Sequence, residues 1–134
     1  MPNIGSATSA PATSIVTTAE TLAVNIPVTP LSLPGASPQQ VIIRGGVVVT
    51  TGASTTQLSV KLRAGQSNTT TAQVGNTETE VAAAAATLYI PFEFVDTTVG
   101  NLTGLGYSIT VSQVAATGNG TIVQVVYEID YTIP

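Results

Sequence analysis

The sequence predicts an all-β fold: a single antiparallel β-sandwich of jelly-roll type, with about eight strands. Three observations predict it. Short runs rich in Val, Ile and Thr alternate apolar and polar residues with a period of two. Gly, Pro, Asn and Ser clusters separate those runs at regular intervals, and helical periodicity is nearly absent. The composition is 43% hydrophobic and 7% charged, and 23 of the 134 residues are Thr. An ordinary soluble domain is about 25% charged. The β-branched content speaks against disorder, and the length suits one domain.

The elements follow in order. Residues 1–12 mix Ala, Ser, Thr, Pro and Gly and read as an extended, poorly ordered segment. The domain division is therefore a flexible N-terminal arm over 1–13 and the sandwich over 14–134. Residues 14–18 and 20–28 are β-like, with Leu22, Val24 and Ile26 alternating with Thr21, Ala23 and Asn25. Pro27, Pro30, Pro34 and Pro38, with Gly35, mark a loop that cannot pair as a central strand. Residues 40–51 are the first strong strand, and Gly45-Gly46 in its middle predicts a bulge or sharp bend. Residues 57–64 place Leu58, Val60 and Leu62 on one face and Lys61 and Arg63 on the other.

Residues 69–74 read as a weaker strand. Residues 75–86 admit two readings. Thr77 and Glu80 have capping-box spacing and five Ala follow, which fits a short helix. The segment also runs directly into strand-like residues 87–96, which favours an extended chain. Pro91 confines that next strand to a sheet edge or a bulge. After a Gly-rich loop, residues 107–114 alternate again. The Thr117-Gly118-Asn119-Gly120 turn leads to a long last strand over 121–133. Simple alternation puts Val123, Val125, Tyr127, Ile129, Tyr131 and Ile133 on one of its faces.

The absences exclude whole classes of chemistry. There is no Cys, His or Trp. Ser-His-Asp and Cys-His catalysis, thiolate or imidazole metal sites and disulfide frameworks are thereby removed. The chain has three cations (Arg44, Lys61 and Arg63) and a net charge of −4, which argues against nucleic acid and against a basic membrane-surface helix. No 18-residue apolar window and no secretory leader is expected. No cofactor, no metal and no catalytic residue is expected, and the chain does not read as an enzyme.

The remaining polar residues have ordinary roles. Glu128 and Asp130 share one strand face, which predicts a solvated surface rather than a glycosidase pair. Glu78 and Glu80 read as an exposed turn rather than a cation site. Asp96 precedes Thr97-Thr98 and can hold that turn as an Asx cap. Arg44 and Arg63 lie in otherwise uncharged strands. Each reads first as a surface arginine on the solvent face; if buried or interfacial it needs a carboxylate, and Asp96, Glu93 and Glu128 are the candidates for ion pairs. Tyr89, Tyr107, Tyr127 and Tyr131 all fall in strands and are expected in the core. Tyr127, Ile129 and Tyr131 form a face that fills either the core or a trimer axis.

The stretch from Val41 to Ile133 resembles small jelly-roll, tumour-necrosis-factor-like virion proteins of tailed bacteriophages, of the capsid decoration and head-fibre type. The resemblance rests on Ile42-Ile43-Arg44-Gly45-Gly46-Val47-Val48-Val49, on Leu58-Ser59-Val60-Lys61-Leu62-Arg63-Ala64-Gly65, on Phe94-Val95-Asp96 and on Tyr107-Ser108-Ile109-Thr110-Val111. It implies a homotrimer that docks on the major capsid protein lattice of an assembled head. It also implies a virion location on the capsid exterior, after assembly in the host cytoplasm. An N-terminal arm with Met1, Pro2, Asn3 and Ile4 would reach the shell. The expected function is thus a structural decoration, or cementing, protein. The alternatives are a receptor- or glycan-binding fibre tip and a single-jelly-roll coat subunit. The glycan alternative requires an exposed aromatic platform or a polar cleft.

Overall fold

The computed structural model describes residues 3–8, 13–15, 19–26, 40–52, 56–67, 69, 73–98, 106–114 and 120–132. Every regular element among them is a strand: β1 (Asn3–Thr8), β2 (Thr13–Ile15), β3 (Thr21–Ile26), β4 (Gln40–Thr50), β5 (Thr56–Ala64), β6 (Gln73–Ala82), β7 (Thr87–Asp96), β8 (Tyr107–Val114) and β9 (Gly120–Thr132). One sheet has the order β1-β9-β4-β7, with β2 also paired to β9; the other has the order β3-β8-β5-β6. All pairs are antiparallel.

The order is that of a rolled-up hairpin. If β1 and β2 count as one interrupted strand, the first pairs with the last, β3 with β8, β4 with β7 and β5 with β6. The β4–β9 and β5–β8 pairs then complete the two sheets. This is the jelly-roll arrangement, as the strand count and spacing predict. The inner faces meet in a single core. Ile43, Val47 and Ile90 from one sheet and Leu58, Leu62 and Ile109 from the other are at most 1% exposed. Phe92 and Phe94 stack along β7 with ring centroids 5.2 Å apart.

The structure revises several expectations. Asn3–Thr8 and Thr13, expected within a flexible arm, pair with β9, as do Ser14 and Ile15, which were expected to be β-like. An extended Ser/Thr segment beside an otherwise open strand gains ladder hydrogen bonds, so pairing competes with freedom. Of the weak strand over 69–74, Gln73 and Val74 belong to β6, while residues 70–72 lie outside the described residues; β6 then runs on through the ambiguous residues to Ala82. The Ala run forms neither helix nor strand beyond Ala82 and makes the β6–β7 turn. Ala85 has φ 50° there, and its N–H donates to the Gly52 carbonyl at 2.8 Å. The Thr51 hydroxyl donates to the Ala83 carbonyl at 2.6 Å and accepts from the Ala86 N–H at 2.8 Å. A turn fastened by the residues that follow β4 is a tertiary contact that outweighs local helix propensity. Pro91 does fall on an edge strand, β7.

The Gly45-Gly46 pair carries no bulge. Both residues keep register with β7 and with β9. What they provide is close approach. A Cβ on Gly45 would stand 1.9 Å from the Val126 carbonyl oxygen, and one on Gly46 would stand 2.1 Å from the Tyr89 ring. The irregularity in β9 lies between its partners to Val48 and Val49, which are Gln124 and Ile122. Val123 is the extra residue. It is 41% exposed while Ile122 is 1% exposed, the reverse of simple alternation.

Candidate functional site

Three polar clusters distinguish this roll from a plain sandwich. The first closes one end of the core. Asp96 takes an inward position at the end of β7 and is 2% exposed. Its Oδ1 accepts from the Thr98 N–H at 2.9 Å, which is the expected Asx cap, and its Oδ2 accepts from the Tyr107 hydroxyl at 2.7 Å. Burial, then the hydrogen bond and charge of Asp96, push the Tyr107 phenol far above its usual range. Asp96 therefore serves Tyr107 and not an arginine. Tyr107→Phe leaves this buried carboxylate short of a donor. The expected cost is about 1–3 kcal/mol, read as a lower urea midpoint at unchanged m-value.

The second cluster lies on the outer side of the β3-β8-β5-β6 sheet. Arg63 there is 7% exposed. Its Nε and Nη2 donate to the two Glu20 oxygens at 3.0 and 2.5 Å, a fork-on-fork pair. The Thr110 hydroxyl also donates to Glu20, at 2.5 Å, and Lys61 Nζ stands 3.8 Å away. Burial pushes the Glu20 carboxyl up, but these hydrogen bonds and the Arg63 and Lys61 charges outweigh it and hold it below its usual value. Glu20 was not among the expected partners of Arg63. One signal pointed to it: Glu20 is the only acid in the first 77 residues, which also hold all three cations.

The third cluster is on the outer face of the β1-β9-β4-β7 sheet. Register puts Glu93 and Glu128 on either side of Arg44. Arg44 donates from Nε to Glu93 at 3.4 Å and from Nη1 to Glu128 at 3.5 Å, as expected. It also pairs with Asp130, a partner the sequence did not single out. Burial works against the charged guanidinium, but Asp130, Glu128 and Glu93 together raise its pKa. Beside this cluster lies a hollow of about 430 Å³, lined by Arg44, Gly45, Phe92, Glu93, Val126, Tyr127 and Glu128.

The other expected residues fall as follows. Tyr127 and Ile129 are 5% and 0% exposed and belong to the core of one chain rather than to an axis between chains. Tyr131 is in β9, but its side chain lies outside the described residues, as do Met1 and Pro2. Asn3 and Ile4 are in β1, and Asn3 stands opposite Asp130. Glu78 and Glu80 are on β6 and not in a turn. Tyr89, expected in the core, is 56% exposed. Its strand parity was the overlooked signal, since it shares a face with Pro91 and Glu93. Among the described residues, no group of three or more metal-ligating side chains could hold an ion, and no helix is long and apolar enough to cross a membrane.

No family model matches the chain, and neither does any curated protein. A solved structure does: "Structure of infectious bursal disease virus Gx strain" contains a chain of similar fold. The TM-score is 0.52 at 12% identity, over 95% of this chain and 31% of that one. The likeness is one of fold. This chain spans about a third of the length of the chain it matches.

Proposed function

We propose that this chain is a structural virion protein: a capsid decoration protein of the tailed-bacteriophage type that docks as a homotrimer on an assembled head. The role is mechanical and not catalytic. The observation that carries the reading is the rolled two-sheet topology, which has a counterpart of similar fold in a virus structure. Charge supports it. Each of the three cations is paired with a carboxylate of the same chain, so the described surface offers no basic stripe for nucleic acid. Apolar exposure supports it as well. Val81 is 75% exposed on β6, an edge strand, and offers a contact between copies.

Docking through a rigid trimer multiplies weak contacts by effective concentration. The N-terminal contact with the shell now has a narrower form. Asn3 and Ile4 lie in a strand that pairs with β9, so their removal disturbs the sheet as well as any shell contact. Light scattering on the pure protein is the first test, with an expected mass three times the 13.5 kDa of one chain. Co-sedimentation with assembled shells of the virus that encodes the chain is the second. A stable monomer counts against the trimer, and a protein that stays in the supernatant counts against decoration.

A further inference from the structure

Tyr89 is a large aromatic residue left 56% exposed on an ordered strand. The positions of its Cζ, Cε1 and Oη explain how it is held. All three lie within 2.1–2.3 Å of where a Cβ on Gly46 would be. The ring therefore lies down across the sheet, filling the space that the missing side chain leaves. Its tip reaches Gly46, whose chain neighbours are Arg44's neighbour Gly45 and Val47, and whose cross-strand partner is Val126. Gly45 and Val126 both line the adjacent hollow. At about 430 Å³, the hollow falls within the size range of small-molecule sites.

The rim supplies hydrogen-bonding groups of both kinds. Glu93 and Glu128 are 61% and 43% exposed at the side chain, so their carboxylates face solvent as acceptors. Arg44 is a planar donor, oriented beforehand by contacts to Glu93, Glu128 and Asp130. A flat aromatic ring over Gly46, one residue along β4 from Gly45 in the lining of the hollow, together with the acceptors and donor of its rim, matches the two sides of a pyranose. The C–H face of the sugar is apolar and stacks on a π face, whose negative quadrupole attracts the weakly positive hydrogens. The edge of the sugar carries vicinal hydroxyls, each able to donate and accept.

We propose that the outer face of β4, β7 and β9 carries a saccharide-binding subsite for a neutral pyranose. Tyr89 is its stacking platform, and Arg44, Glu93 and Glu128 are its hydroxyl-binding rim. The three carboxylates exceed the one guanidinium, so an acidic sugar is rejected by like charge. The subsite stands independently of docking on a shell.

Amide-resolved NMR of the full chain tests it. The probes are methyl glucoside, methyl galactoside, methyl mannoside, N-acetylneuraminic acid and a lysine-rich peptide. At least one neutral glycoside is expected to shift the Gly45, Glu93, Val126 and Glu128 amides saturably, with Kd on the order of millimolar. N-acetylneuraminic acid is expected to leave them unmoved. Tyr89→Ala is expected to weaken binding about tenfold, while Tyr89→Phe keeps the ring and keeps the binding. Because Tyr89 is exposed, both variants are expected to retain the remaining spectrum. The proposal is overturned if no neutral glycoside moves those amides, or if folded Tyr89→Ala binds as the parent does. It is also overturned if only the lysine-rich peptide moves them, which would assign the face to a basic protein partner.

Discussion

Gly45→Ala is expected to destabilise the fold by about 3 kcal/mol or more, the largest effect of any glycine-to-alanine change among the described residues. The added Cβ would stand 1.9 Å from the Val126 carbonyl oxygen and 2.8 Å from the Tyr127 Cα. Both obstacles are backbone, so no rotamer change relieves them. The strands β4 and β9 would have to part at the centre of their sheet, with loss of ladder hydrogen bonds on both sides of the site. Gly46→Ala is the control. Its obstacle is the far end of the exposed Tyr89 side chain, which an added methyl would lift from its seat over Gly46 without moving backbone. A cost of about 1 kcal/mol is expected there. Thermal unfolding of the two variants checks the contrast, with Gly45→Ala melting roughly 10 °C or more below the parent. Equal melting temperatures for Gly45→Ala and Gly46→Ala would contradict the close approach seen at Val126.

Glu20→Ala is the second large effect. It leaves Arg63 7% exposed with a charge and no bidentate acceptor, and it removes the acceptor of the Thr110 hydroxyl. Breaking a buried pair from one side costs about 3–5 kcal/mol, and about 3 kcal/mol is expected here because Lys61, beside it, keeps contact with water. The same site sets a pH dependence. The Glu20 carboxyl is held below its ordinary value of 4.5 in the folded chain. The sign follows from linkage. Its stabilisation is fully present above the unfolded value and is lost as pH falls through the lower folded value. The parent is therefore expected to lose melting temperature below about pH 4.5, and Glu20→Gln to show a shallower fall over the same window. Parallel curves for parent and Glu20→Gln would rule out Glu20 as the source of that slope.

Much of the fold was legible because strand periodicity is a local property. Leu58, Val60 and Leu62 alternate with polar residues, and all three are buried as alternation requires. Pro91 announced an edge strand because it cannot donate to a second neighbour. Asp96 before Thr97-Thr98 announced its own cap, a contact that spans two residues. That a buried arginine needs a carboxylate was legible, and two of the three candidate acids, Glu93 and Glu128, do meet Arg44, since few charges were available to choose from.

What was hidden required contact between distant segments. The bulge at Val123 reverses the burial of Ile122 and Val123, and no residue type marks it. The Ala82–Ala86 segment has helical propensity, yet Thr51 and Gly52, just past the end of β4, fasten it as a turn. Glu20 reaches Arg63 across 43 residues, from just before β3 to a strand two places away in the sheet, and no local spacing marks that pairing.

By itself, the sequence determined an antiparallel sandwich of few charges, without thiol or imidazole chemistry, because alternation and composition act residue by residue. Only the tertiary structure decided which acid meets which arginine, why two adjacent glycines stand in β4, and that Tyr89 lies open on the surface. Those outcomes depend on strand register and on the gap between neighbouring backbones. Both are set by the whole roll closing at once, since a shift of one residue would turn every side chain of a strand to the opposite face.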